Sequence, residues 1–331
     1  MKKVVFVAFA IVLSCSMLFA QGNKEASAVS ADMSTFPTKP VEAVVGWSAG
    51  GGGDVVFRVL AEVFPKYANG QNLVIKNVPG ASGVTGAIEF LDAKPDGYSV
   101  MHWNNASMTK TQLSKTPITV NSFVPVLQVV SSYNYLLVNA DAKWNTLQDF
   151  IADAKANPGV LSIGNAGTAG GNHMAAILFE DAISAEFTHI PFSGGGPSII
   201  GLLGKQVDSA MNNAPEGVSN IEAGQLKMLA VFSEERYPSF PDVPTAKEQG
   251  LDLVLPQWRG VVCPPGTPDA VVQRLHDIFK QCIEDPIFVE KMKAMSVSPQ
   301  YLNAADFGRF LLAEDARYEA LVKAKGLGDR Y

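Results

Sequence analysis

The sequence predicts an α/β fold of two lobes joined by two crossing strands, and three observations carry that expectation. Short apolar runs alternate with stretches of helical spacing along most of the chain, the pattern of a mostly parallel, helix-covered sheet. Three of the strand-to-helix joints are glycine-rich, at 46–54, 165–173 and 191–197. Two long extended runs, Pro125 to Val138 and Leu253 to Cys263, flank the middle of the chain, which predicts two crossings and a discontinuous first lobe. The expected division is 36–132 plus 258–331 for lobe one and 133–257 for lobe two.

The N-terminus reads as an export signal over 1–20, followed by a flexible segment over 21–35. Lys2 and Lys3 form a basic region, Val4 to Leu13 an apolar one, and small residues follow. That apolar run is too short for a permanent membrane helix. Cleavage after Ala20 would leave an exported chain starting at Gln21. The alternative is a loose lipobox, Val12-Leu13-Ser14-Cys15, with Cys15 becoming an acylated N-terminus. Gly22 to Ser34 would be a tether on either route.

The elements then follow in order. Val41 to Val45 is a buried strand and Val55 to Phe64 a helix, with Asp54 a good cap. Asn72 to Val78 is a second strand, a short helix runs to Leu91, and Tyr98 to Trp103 is a third strand ending at Asn104-Asn105. Thr146 with Asp149 resembles a capping box and opens a helix that stops at Asn157-Pro158-Gly159. Leu161 to Gly164 and Phe187 to Ile190 are strands feeding helices at Met174 to Ala182 and up to Leu203. Val207 to Asn212 and Lys227 to Phe232 are further strands, and a short helix should end at Gly250. The tail is helical over Pro268 to Glu284, Pro286 to Met295 and Ala304 to Ala324.

The composition bounds the function. The chain has 331 residues, 47% of them apolar and 18% charged, enough for two globular cores. Losing Lys2 and Lys3 takes the net charge from −6 to −8, which argues against nucleic acid or an anionic membrane as partner. Cys263 and Cys282 remain after cleavage at Ala20. Cys282 shares an apolar helix face with Val271, Leu275 and Ile278, so burial is expected rather than a disulfide. No Cys/His cluster suggests a metal, and no cofactor is expected.

The glycine loops carry the chemistry. A strand that enters a helix through Gly50, Gly51, Gly52 and Gly53 leaves backbone N–H groups uncovered at the positive end of the helix dipole, an anion site. No Lys-Ser or Lys-Thr follows, so this is not a P-loop. All three loops would sit at strand carboxyl ends, where open α/β sheets bind ligands. The candidate ligand-binding residues are Trp47, Ser48, Ala49, Gly50, Gly51, Gly52, Asn104, Asn105, Thr168, Ala169, Gly170, His173, Phe192, Ser193, Gly194 and Asn213. Arg58, one turn beyond Asp54, should pair with it rather than face the cleft. A rival reading is a secreted serine hydrolase, because Gly46-Trp47-Ser48-Ala49-Gly50 matches G-x-S-x-G between strand and helix. Against it, no earlier strand supplies an oxyanion loop, His276 lies inside a helix, and neither His173 nor His189 follows an acid in a triad order.

Taken together, the motifs resemble the substrate-binding proteins of tripartite tricarboxylate transporters, the TctC-like or Bug family. The matching pieces include Ser48 to Asp54, Asn77-Val78-Pro79-Gly80-Ala81-Ser82-Gly83 and Pro95-Asp96-Gly97-Tyr98. They continue with Gly164 to Thr168 with His173, Pro191 to Pro197, Pro241-Asp242-Val243-Pro244-Thr245 and Pro264-Pro265-Gly266-Thr267-Pro268. Order and spacing hold from about Phe36 to the C-terminus. The resemblance implies a type II periplasmic binding protein fold and a carboxylate held mainly by amides, hydroxyls and waters at the Ser48 and Thr168 loops. It implies no catalytic residues, delivery to integral membrane permease subunits, a periplasmic location and a monomer; a sensory binding protein without transport is the other reading. Trp47 and Phe192 depart from the family, which usually carries a smaller or simpler aromatic residue and a tyrosine there.

Overall fold

The computed structural model describes residues 33–168 and 170–330. The expected signal peptide, Cys15 and most of the tether lie outside the described residues, as does Ala169. Met33–Thr35 forms a 3-10 turn in the N-terminal unit, and the chain from Phe36 onward forms the other unit.

In that larger unit, β1 (Val41–Val45) lies parallel between β2 (Leu73–Asn77) and β3 (Ser99–Asn104). The connections run through α1 (Gly52–Val63) and α2 (Val84–Phe90), and α3 (Asn105–Leu113) follows β3 directly. Val41, Ala43, Val44 and Val45 are buried, as a strand covered on both faces requires.

The long extended run is β4 (Val124–Asn139), 16 residues, a reach of about 50 Å. Its first part pairs antiparallel with β9 (Pro256–Cys263), which in turn pairs with β3. Its second part pairs with β7 (Ser209–Asn213) and β8 (Leu226–Val231). Beyond β7 lie the parallel strands β5 (Ser162–Asn165) and β6 (Thr188–Pro191). Helices α4 (Leu147–Ala156), α5 (Gly171–Ile183), α6 (Gly195–Leu203) and α7 (Val218–Glu222) connect this half. The tail adds α8 (Asp269–Glu284), α9 (Pro286–Ala294), β10 (Ser298–Leu302) against β4, and α10 (Ala304–Lys325).

Two apolar cores result. One gathers Val44, Met101, Trp103, Trp258 and Phe307, the other Leu136, Phe150, Phe179, Met211 and Phe232. The fold is a two-lobed α/β architecture, with β4 running through both sheets and the chain returning along Leu255 and β9.

Local differences from the sequence reading have physical reasons. Thr146 and Asp149 do form the capping box. Asp54, expected as a cap, sits inside the first turn of α1, whose N-cap is Gly51. Thr245 and Glu248 exchange capping hydrogen bonds of 2.7 and 3.0 Å, yet the segment stays a turn rather than a helix and ends at Gly250, φ +87°. The sequence reading missed α3, α7 and β10. Cys263 and Cys282 are both buried and free.

Candidate functional site

Four helices begin at one cavity. The N-cap residues of α1, α3, α5 and α6 are Gly51, Asn104, Gly170 and Gly194, and all four line it. Asn104 caps its own helix, accepting the Ser107 amide at 2.9 Å. The three glycines supply no side-chain cap. Their helices therefore turn first-turn N–H groups, with no partner inside the helix, toward a cavity of about 220 Å³. That size suits a small molecule, and the donor set suits an anion.

The loop before α1 is held in shape by its own chemistry. Gly50 takes φ +81°, a left-handed conformation that favours glycine. Its N–H donates to Asp54 Oδ2 at 2.8 Å, and the Gly51 N–H donates to the Ser48 carbonyl at 3.1 Å. The donors left for the cavity are thus those of Gly52 and Gly53. Asp54, fully buried, also accepts from Arg58 Nε at 2.7 Å and from Asn77 Nδ2 at 2.9 Å. Burial alone would raise its carboxyl, but these hydrogen bonds hold it below the usual carboxylate range. Arg58 is thereby turned to Asp54 and not to the cavity. Gly53 is required by a close approach: a Cβ there would stand 2.6 Å from the His102 ring. Burial, helped by Arg259, pushes that imidazole down to about 3, so it is neutral.

The floor is a chain of side-chain amides. Gln257 donates to Asn134 at 2.7 Å, Asn134 to Asn172 at 3.2 Å, and Asn172 to Asn212 at 3.2 Å. It crosses from β9 through β4 and α5 to β7. Asn213 donates to the Ala214 carbonyl at 3.0 Å. Two charged groups complete the lining, Arg259 on β9 and Glu216 in the turn after β7. Arg259 is 7% exposed, and its Nε and Nη1 have no hydrogen-bond partner. Glu216 Oε2 and Trp47 Nε1 are likewise buried without partners. Burial pushes Glu216 up, with Arg259 pulling the other way.

Nine of the expected residues line the cavity: Trp47, Ser48, Gly51, Gly52, Asn104, Gly170, Ser193, Gly194 and Asn213. Ala49 and Gly50 are exposed at the loop tip. Asn105 is buried against Gly171, where a Cβ would stand 2.8 Å from its Nδ2. Thr168 and His173 face a different groove, which they share with Lys110 and Leu327. The His173 ring meets His189 edge-on at 5.0 Å, and burial lowers it to about 4. Phe192 packs its ring against Gly164 and Gly201 and does not line the cavity. Ala169 lies outside the described residues. Arg259, Glu216, Gln257 and Asn172 are the polar and charged lining side chains that the sequence reading missed. Ser48 has no hydrogen bond to a histidine among the described residues; both ring nitrogens of His102 are without partners.

The family model described as the tripartite tricarboxylate transporter family receptor matches residues 56–327. The chain belongs to that family. A relative from Cupriavidus necator, described as the UPF0065 protein in the gbd 5' region, is 33% identical over 88% of this chain and 89% of its own. A TctC solute-binding protein from Polaromonas, solved without ligand, is 33% identical with a TM-score of 0.74, covering 87% of this chain and 99% of that one. The R. palustris protein Rpa4515, solved with adipate, is 26% identical with a TM-score of 0.80, covering 88% and 99%. The receptor's two-lobed architecture is thus the type II periplasmic binding protein fold. No helix among the described residues is long and apolar enough to cross a membrane.

Proposed function

We propose that this chain is an extracytoplasmic receptor that captures a small carboxylate between lobes 36–132 plus 258–331 and 133–257. It would deliver that ligand, as a monomer, to the permease of a tripartite tricarboxylate-type transporter. One observation carries the reading: three helices capped only by glycine start at the same cavity, with an almost buried guanidinium beside them. Amide donors and dipoles fixed in place bind a carboxylate with little reorganisation. The adipate held by a relative of the same architecture supports the ligand class. The basic and apolar N-terminal regions support export to the periplasm.

A thermal-shift screen over mono-, di- and tricarboxylates tests the proposal. A ligand at 100 times its dissociation constant should stabilise the protein by roughly 2.7 kcal/mol, a shift of several degrees at least for the matching acid. A screen in which no carboxylate moves the transition would overturn it.

A further inference from the structure

Arg259 and Glu216 both line the cavity without forming an ion pair or hydrogen bond with each other. Around the point where a Cβ on Gly52 would stand, Arg259 Nη2 lies 3.0 Å away and Glu216 Oε1 3.9 Å away. No ion pair joins them among the described residues, and Arg259 Nε, Arg259 Nη1 and Glu216 Oε2 are all without hydrogen-bond partners. Two buried opposite charges are normally drawn into contact, because only contact offsets the loss of their hydration. Here each is held by its surroundings. Glu216 is pressed against the first residue of α6, where a Cβ on Gly195 would stand 2.5 Å from its Cγ. Arg259 comes from a strand bonded on both sides, by β3 and β4. Both line the same cavity, so a third group bound there can complete both.

The chemistry of that third group follows from the lining. The starts of α1, α5 and α6, together with Arg259, favour a carboxylate. Glu216 disfavours a second one nearby and favours a cation or a strong hydrogen-bond donor. We propose that the cavity takes a small amino-carboxylate, its carboxylate on the α1 amides and Arg259 and its ammonium on Glu216. This deepens the carboxylate-receptor reading and rests on it. It makes Glu216 a specificity-determining residue: a plain dicarboxylate of the same length would place its second anion beside a buried carboxylate, while an ammonium would satisfy the partnerless oxygen.

Isothermal titration calorimetry on matched pairs tests this: glutamate against glutarate, aspartate against succinate, and β-alanine against propionate. In at least one pair the amino member should bind the native protein about tenfold tighter or more, as a charge-assisted hydrogen bond allows. Glu216→Gln, nearly isosteric, should bring that ratio to within about threefold, with its fold checked by circular dichroism. The native ratios stand on their own if the variant fails to fold. Equal or tighter binding of the deaminated acids to the native protein would overturn the inference while leaving the carboxylate reading in place. Binding by no member of any pair, nor by any acid of the wider screen, would overturn both.

Discussion

Asp54 accepts the Gly50 amide at 2.8 Å, so an acidic residue inside the first turn of α1 fixes the loop that leads into it. The same oxygen takes Arg58 Nε at 2.7 Å, and the other takes Asn77 Nδ2 at 2.9 Å. Asn77 also donates to the Trp47 carbonyl at 2.9 Å, so both ends of the glycine loop hang on one carboxylate and its partner amide.

Replacing that carboxylate by an amide gives a prediction with a definite sign. Asp54→Asn should destabilise the fold by roughly 1–3 kcal/mol, the cost of leaving a buried donor poorly partnered. Asp54 is held below its ordinary 3.8 in the folded protein. A lowered carboxyl contributes stability that is fully present above its unfolded value and fades as pH falls through the folded one. In urea unfolding, the gap between native and variant should therefore be constant from about pH 7 to 5 and close only below about 3.8. A gap that instead widens as pH falls from 7 to 5 would mean that burial dominates and the carboxyl is raised.

The glycine loops were legible because their chemistry is local. A strand, a run of glycines and a helical stretch state in sequence where uncovered amides will lie, and Gly51, Gly170 and Gly194 are where that reading puts them. The charged lining was not legible. Arg259 reads as an ordinary surface arginine until β9 is known to be flanked by β3 and β4; its one signal was a charge between Trp258 and Val261 in an otherwise apolar crossing strand. Glu216 lies in a turn, where a carboxylate is expected to be solvated, and only the packing of Gly195 against it reveals otherwise.

Two other elements failed for reasons of distance. The orientation of Phe192 is set by Gly164 and Gly201, which leave room for its ring away from the cavity. Helix α3 was missed because Asn105, Ser107, Thr109, Thr111 and Gln112 are all buried, so its polar residues do not mark a solvent face and no amphipathic period shows.

Ser48 separates receptor from hydrolase. It is exposed at the cavity rim and has no histidine partner among the described residues. As one hydroxyl among several amide donors, Ser48→Ala should weaken carboxylate binding by roughly 0.5–1.5 kcal/mol, or toward about 3 if it meets the charge directly. A nucleophile would behave differently. Esterase turnover on a p-nitrophenyl ester, abolished by Ser48→Ala, would replace the receptor reading.

The association rate should reveal how the anion is attracted. The full chain carries a net charge of −6, and −8 if Lys2 and Lys3 leave with the expected signal, so on either count long-range steering repels an anionic ligand. Arg58, an exposed cation in α1 close to the loop, already serves Asp54, and its side chain is 53% exposed. Arg259 lies within the cavity and is 7% exposed, so its attraction acts only after entry, alongside amides whose effect is confined to the helix ends. Salt screens charges beyond roughly 8–10 Å at physiological strength and leaves buried contacts largely intact. The on-rate for an anionic ligand should therefore stay flat or rise modestly between low and physiological salt. Stopped-flow tryptophan fluorescence can follow it, because Trp47 lines the cavity. A several-fold fall in the rate would instead mean that exposed basic side chains draw the ligand in, and that the capture step does not depend on the glycine-capped helices alone.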